Sequence, residues 1–370
     1  MANNNNNKVL NVPNLRFPEF TGEWRKCKLE NCVNFLDGKR KPIKSSDRKS
    51  ELKLYPYYGA SGIIDYIDDY ILDGRFILLS EDGANIIDRN YRVAFIAEGK
   101  IWVNNHAHVL LPNKNVNIVF LTEKLESLDY NIYNTGTTMP KLNQEVCRNI
   151  LIRIPILEEQ SKIGNLLAII NERIATQNKI IEDLKKLKSA IYQFVFDNEI
   201  GPFLPLESIA NIVKGQQVNG ECLSESGDYY VMNGGIEPSG YYSYCNTEAN
   251  TISISEGGNS CGYVQYNDVL FWSGGHCYTL QNLSTQIEEK YLFHYLKHKE
   301  STIMKLRIGT GLPNIQKKDL AKFNVLIPST ERQIALYKVF NSVDAKLSIE
   351  NKLQKSFESQ KSYLLQQMFI

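Results

Sequence analysis

"IRIPILEEQ" at residues 152–160 and "VLIPSTERQ" at residues 325–333 carry one signal twice, with Pro155 and Pro328 lying 173 residues apart. Residues 136–196 can be laid on residues 309–369 without a gap. Gly136, Thr137 and Pro140 then meet Gly309, Thr310 and Pro313, and Ile154, Glu158 and Gln160 meet Ile327, Glu331 and Gln333. Asn178, Ser189, Gln193 and Phe196 meet Asn351, Ser362, Gln366 and Phe369. A repeat of this kind is a statement about architecture before it is one about chemistry.

In each copy a strand-like run, "ILIRIPI" or "FNVLIPS", changes after Ile-Pro to a seven-residue apolar period. Ile163, Ile170, Leu184 and Ile191 form one seam, interrupted at Gln177; Leu166, Ile180, Leu187 and Phe194 form the alternate seam, interrupted at Arg173. Leu336, Val343, Phe357 and Leu364 repeat the first, with Glu350 and Lys346 at the same two breaks, while Gln360 and Gln367 replace Leu187 and Phe194. Arg332 stands where the first copy has Glu159. Thr330 with Gln333 reads as a capping box, and Gly201-Pro202 as a stop. The spacing predicts two helices of about 40 residues, roughly 60 Å each. They are expected to pack on each other as a coiled coil and to hold two domains apart.

A chain of 370 residues is long enough for two such domains, and 43% hydrophobic with 22% charged residues is a globular composition. Each globular segment mixes short alternating strands with helices, an α+β pattern, and the two echo each other faintly. "SEDGAN" (80–85) resembles "SEGGN" (255–259), and "WVNNHAH" (102–108) resembles "WSGGHCY" (272–278). The expected layout is a tail at 1–19, a first domain at 20–155, a helix at 156–200, a second domain at 201–328 and a helix at 329–370. "MANNNNNK" is no secretory signal, and no apolar run reaches a membrane span. Seven cysteines without a C-x-x-C pair read as reduced thiols. The expectation is a cytoplasmic protein that touches no membrane.

Catalytic signatures are absent: no phosphate loop, no dinucleotide fingerprint, no Asn-Pro-Pro-Tyr methyltransferase motif and no zinc helix. His106, His108, Cys147, His276 and Cys277 lack supporting ligand spacing, and Asp68-Asp69 and Glu81-Asp82 read as loop or strand-end acids. Glu51-x-Lys53 and Glu98-x-Lys100 are too short to mark a nuclease. The expectation is a binding protein without catalytic residues, cofactor or metal.

The order of globular segment, Ile-Pro-x-x-Glu-x-Gln and long helix, stated twice, resembles the specificity subunit of type I restriction-modification enzymes. So does the entry "VPNLRFPEFTGEWRKCKLENC" at 12–32. The resemblance implies two target-recognition domains, each reading half of a split DNA site, and two antiparallel helices in a pseudo-twofold arrangement. It implies docking of two methyltransferase subunits and, through them, restriction subunits. S-adenosylmethionine, ATP and magnesium would belong to those partners. A specificity subunit of a system that fuses methylation with cleavage, or a tandem-repeat scaffold that never meets DNA, would share much of this sequence pattern.

For double-stranded DNA the candidates in the first segment are the cations of "GKRKPIKSSDRK" (38–49): Lys39, Arg40, Lys41, Lys44, Arg48 and Lys49. Net charge is only +1, so such charge must be concentrated locally. "VKGQQVNG" (213–220) takes the comparable early place in the second segment, with Lys214, Gln216, Gln217 and Asn219. Gln suits bidentate reading of adenine. Asn104, Asn105 and His106 align with Gly274, Gly275 and His276, and the loops "TGTTMPK" and "GTGLPN" add Lys141 and Asn314.

Overall fold

The computed structural model describes residues 11–48, 52–309 and 311–370; Lys49, Glu51 and Thr310 lie outside them. Two compact units emerge: residues 1–178 with 352–370, and residues 179–351.

In the first unit, β1 (Arg25–Lys28) pairs antiparallel with β8 (Leu151–Ile154), the strand that feeds the first long helix. Between them lies a six-stranded sheet of β2 (Val33–Phe35), β3 (Tyr55–Gly59), β4 (Gly62–Ile67), β5 (Leu72–Ser80), β6 (Ala94–Val103) and β7 (Ala107–Pro112). Its order is β2-β7-β5-β6-β3-β4, antiparallel except where β3 runs parallel to β6. The period-two rule sorts the run "FILLS" onto both faces. Ile77 and Leu79 join Trp24, Phe120 and Leu110 in one core, whereas Phe76 and Leu78 join Ala97, Ile101 and Val109 in another. Short α1 (Asn85–Asp88), α2 (Ile118–Glu126) and α3 (Gln144–Asn149) complete the domain. The Asn117 and Asn143 side chains cap α2 and α3.

The second unit repeats the plan. β9 (Phe203–Pro205) pairs with β17 (Asn324–Leu326), as β1 does with β8. β10 (Asn211–Lys214), β13 (Thr251–Ser255), β14 (Val264–Asn267) and β16 (Cys277–Gln281) form a sheet in the order β10-β16-β13-β14, matching β2-β7-β5-β6. β11 (Tyr229–Met232), β12 (Tyr241–Tyr242) and β15 (Trp272–Ser273) match β3, β4 and the end of β6, including the parallel pairing. Helices α5 (Leu206–Ile209), α6 (Glu289–His298), α7 (Glu300–Met304) and α8 (Lys317–Ala321) fill the remainder.

The two long helices are α4 (Leu157–Asn198) and α9 (Thr330–Met368). Each unit contains part of both, running antiparallel. In the first, Gln354 donates to the Asn178 side chain while Phe369 packs 5.2 Å from Phe120, near the start of the helical layer. In the second, Lys188 pairs with Asp344, Tyr192 stacks 4.4 Å from Phe340, and Arg332 meets Glu199.

The first seam is as read, but the alternate one is displaced. Leu167, Ile181, Tyr192 and Phe196 are buried, whereas Ile180, Leu187 and Phe194 are 40%, 51% and 71% exposed. From Ile163 and Leu167 the buried and half-buried positions follow a four-three spacing as far as Leu184, so that Leu187 and Gln360 fall outside it; Tyr192 and Phe196 lie one position beyond that register. Gln177 and Glu350, read as interruptions, are buried. Gln333 also departs from the expected capping box. Ser329, not Thr330, offers the capping oxygen, to the Arg332 N–H, and Gln333 turns inward. Its amide donates to Pro328 O and Gln286 O, and its carbonyl accepts from Glu288 N. Gln160 does the same with Pro155 O, Asn115 O and Asn117 N. Each Ile-Pro-x-x-Glu-x-Gln motif is thus a clamp joining a long helix to the loop ahead of the domain's own helix.

Candidate nucleic-acid interface

The strand β5 ends at Ser80, and the next residue, Glu81, gathers three loops. Its N–H donates to His106 O, and its own carbonyl accepts from Leu142 N. Arg40 pairs with its carboxylate and donates to Ala107 O at 3.0 Å, while Lys141 Nζ lies 3.5 Å away. His106 Nδ1 is 2.8 Å from Asp82. The sequence candidates Arg40, Asn105, His106 and Lys141 therefore do come together. The Trp102 indole N–H donates to Lys41 O at 2.6 Å and holds the basic loop beside them.

Not every candidate is free to meet a ligand. Arg40 is already paired with Glu81 and, at 3.5 Å, with Asp37. Arg48 lies 3.5 Å from Asp65 and over the Tyr57 ring. Asn104 is buried, and its side-chain oxygen accepts from His106 N. These three shape the surface. Lys39, Lys41, Lys44, Asn105, His106 and Lys141 are exposed.

Beneath it sits a charged pair. His108 Nδ1 is 2.6 Å from Asp37 Oδ2 and its Nε2 is 2.8 Å from Leu142 O. Both ring nitrogens face acceptors, so both must carry protons. Burial opposes the charge, but Asp37 and Cys147 together outweigh it and hold His108 up at about 10, with Asp37 below the usual carboxylate range.

The second unit builds the same edge from other residues. β13 ends at Ser255, and Glu256 donates its N–H to His276 O while its carbonyl accepts from Ile315 N. Lys214 Nζ lies 2.7 Å from Glu256 and the Tyr278 hydroxyl donates to the same carboxylate at 2.9 Å. Trp272 N–H donates to Gln216 O, as Trp102 does to Lys41 O. A Cβ on Gly215 would stand 2.3 Å from Gly274 O, so glycine alone lets this loop lie on the histidine turn. Lys214, Gln216, Gln217, Asn219, His276 and Asn314 are all exposed. Asn314 is bridged to Gly257 as Lys141 is to Asp82.

Among the described residues there is no group of three or more side chains suited to a metal, and no helix is long and apolar enough to cross a membrane. The model of the type I restriction modification DNA specificity domain matches this chain twice, over residues 21–186 and 203–359. The chain belongs to that family. Its two matches to the specificity domain fall on the two copies of the edge just described.

Full-length similarity agrees. The chain is 27% identical to a Haemophilus influenzae protein named, provisionally, as a type I restriction enzyme specificity subunit, over 92% of this chain and 93% of that one. It is 24% identical to a Methanocaldococcus jannaschii type I restriction enzyme specificity subunit, over 95% and 92%. The crystal structure of the S subunit of a type I restriction-modification system from M. genitalium superposes with a TM-score of 0.72 at 19% identity, covering 97% of this chain and 99% of that one. Two specificity domains of mixed α/β type with two long helices are the fold, and these are non-catalytic subunits of type I systems.

Sequence reading missed the residues at the centre of each edge. Glu81 and Glu256 sit inside the echoed "SEDG" and "SEGG", and Trp102 and Trp272 inside the echoed tryptophan runs. The echoes were the signal. Asp37, which pairs with His108, carried none, because its partner is 71 residues away.

Proposed function

We propose that this chain is the DNA-recognition subunit of a type I restriction-modification complex in the cytoplasm. Residues 20–155 and 201–328 act as target-recognition domains, each reading half of a bipartite site in double-stranded DNA. The helices at 156–200 and 329–370 dock two methyltransferase subunits, through which restriction subunits join. S-adenosylmethionine, ATP and magnesium are used by those partners.

One observation carries this reading: the same cation-bearing edge is built twice, by equivalent strands, with different exposed side chains. Lysines suit phosphates, and Asn105, Gln216, Gln217, Asn219 and Asn314 have the paired donor and acceptor that reads base edges. Two similar but unlike readers suit a site with two unlike halves. Exposed Ile180, Leu187 and Phe194 on α4 and Val339, Ile349 and Leu353 on α9 give apolar surface for helix-docked subunits. A solved relative is described as showing complex assembly and conformational transition of the type I system.

The test is single-molecule sequencing of DNA from cells that express this chain with and without its neighbouring methyltransferase, scoring N6-methyladenine. A split motif present only with both proteins is the expected result. A complex that assembles yet modifies no split motif would refute the reading.

A further inference from the structure

A carboxylate facing a polyanion is unfavourable, yet each edge places one at its centre. Glu81 and Glu256 side chains are only 15% and 11% exposed. Around them almost every reading residue differs between the copies: Lys41 against Gln216, Asp82 against Gly257, Asn105 against Gly275, Lys141 against Asn314. What stays the same is a frame. Both copies keep a serine ahead of the glutamate, its hydroxyl donating to a backbone carbonyl (Ala60 O or Gly234 O) at 2.6 Å. Both keep a histidine carbonyl that accepts from the glutamate N–H, a proline carbonyl (Pro140 or Pro313) that accepts from a glycine N–H, and a cation on the carboxylate.

We propose that Glu81 and Glu256 are positioning residues for base reading: each glutamate, through its carboxylate together with its own N–H and carbonyl, ties the early basic loop, the histidine turn and the Gly-Thr loop into one rigid surface. The proposal rests on the DNA-recognition reading above. Glu81 does so through Arg40 and Lys141, which come from two of the loops. Glu256 uses Lys214 and the Tyr278 hydroxyl, and its Oε2, buried without a hydrogen-bond donor, lies 3.9 Å from His276 Nδ1. A charge-assisted hydrogen bond fixes direction as well as distance, which a reading loop needs and a phosphate-contacting loop does not. The acids therefore act on discrimination more than on affinity.

The experiment compares wild-type chain with Glu81→Gln, Glu256→Gln and Glu81→Asp, each assembled with the methyltransferase, by half-site-resolved N6-methyladenine sequencing and by thermal melting. Glu81→Gln should lower discrimination at one half-site by roughly 10- to 100-fold, the range for a lost hydrogen bond to a charged group. Glu256→Gln should do so at the other half-site. Glu81→Asp, which keeps the charge, should recover part of the loss. The proposal is overturned if either Gln variant leaves both half-sites read as before, or if both halves degrade together in step with a lowered melting temperature. A wild-type complex that modifies no split site would instead refute the recognition reading itself.

Discussion

His108 shows what a single buried charge does in this fold. Its imidazolium is enclosed by Asp37 and Leu142 O, and Asp37 also accepts from Val109 N and from the Gln144 amide. The pair connects the loop before the basic segment to β7 and to α3. With a folded pKa of about 10 against about 6.5 when unfolded, the His108 contribution is fully present below about pH 6.5 and is lost as pH rises through 10. Asp37 works in the other direction: its lowered pKa contributes above the ordinary carboxylate value and is lost in acid. Denaturation of the first unit followed by hydrogen exchange should show stability declining from neutral pH to pH 10. His108→Leu should remove that slope and cost up to about 3 kcal/mol, because buried Asp37 loses its closest partner and keeps only Arg40 at 3.5 Å. A slope that survives the substitution would assign it to another group.

At the scale of the element, Phe194 and Phe196 are the same residue type two positions apart on α4. Phe196 is 7% exposed and packs 5.2 Å from Tyr295 and 5.4 Å from Phe340, while Phe194 is 71% exposed. Phe196→Ala should therefore cost about 3–5 kcal/mol. Phe194→Ala should change stability by no more than about 0.5 kcal/mol and instead weaken assembly with the methyltransferase. Paired melts and pull-downs separate the two effects, and equal destabilisation by both would restore the alternate seam. That seam was the misread part of a largely legible element. Helix lengths, the Ile-Pro junctions and the match of Phe196 to Phe369 followed from the repeat, since an offset of 173 residues preserves every face. Periodicity alone does not choose between neighbouring seams when Ile180, Ile181, Leu184 and Leu187 crowd one stretch. The choice came from tertiary partners: Tyr192 stacks on Phe340 and donates to His294, which Asn341 holds from the other side. The inward turn of Gln160 and Gln333 was hidden for the same reason, since beyond the nearby proline carbonyl each bonds a loop more than forty residues away. In the domains, the basic segment was visible as charge, but which cations are already paired was not. Arg40 and Lys41 are adjacent cations in sequence, yet Glu81 and Asp37 fold onto Arg40 while Lys41 stays exposed beside Trp102.

For the molecule as a whole, a net charge of +1 leaves no general attraction to DNA, so the proposed recognition requires charge concentrated at the local edges. Each phosphate contact releases counterions, and log K falls with log salt by about 0.9 per contact on duplex DNA. Lys39 and Lys41 are exposed and enter no salt bridge among the described residues; Lys41 also lies 5.9 Å from the Trp102 ring centroid. Lys39→Glu with Lys41→Glu should thus weaken binding of the assembled complex and make the salt slope shallower by about 2. Lys214 is held by Glu256, so Lys214→Gln should change the slope by less than one contact while relaxing one half of the motif. The two results together distinguish charge that binds DNA from charge that shapes the reader. Fluorescence anisotropy across a salt series, on duplexes carrying the methylated motif, measures both slopes. If the double reversal leaves affinity and slope unchanged, the first edge does not meet phosphates and the contact surface of that unit must lie on another face.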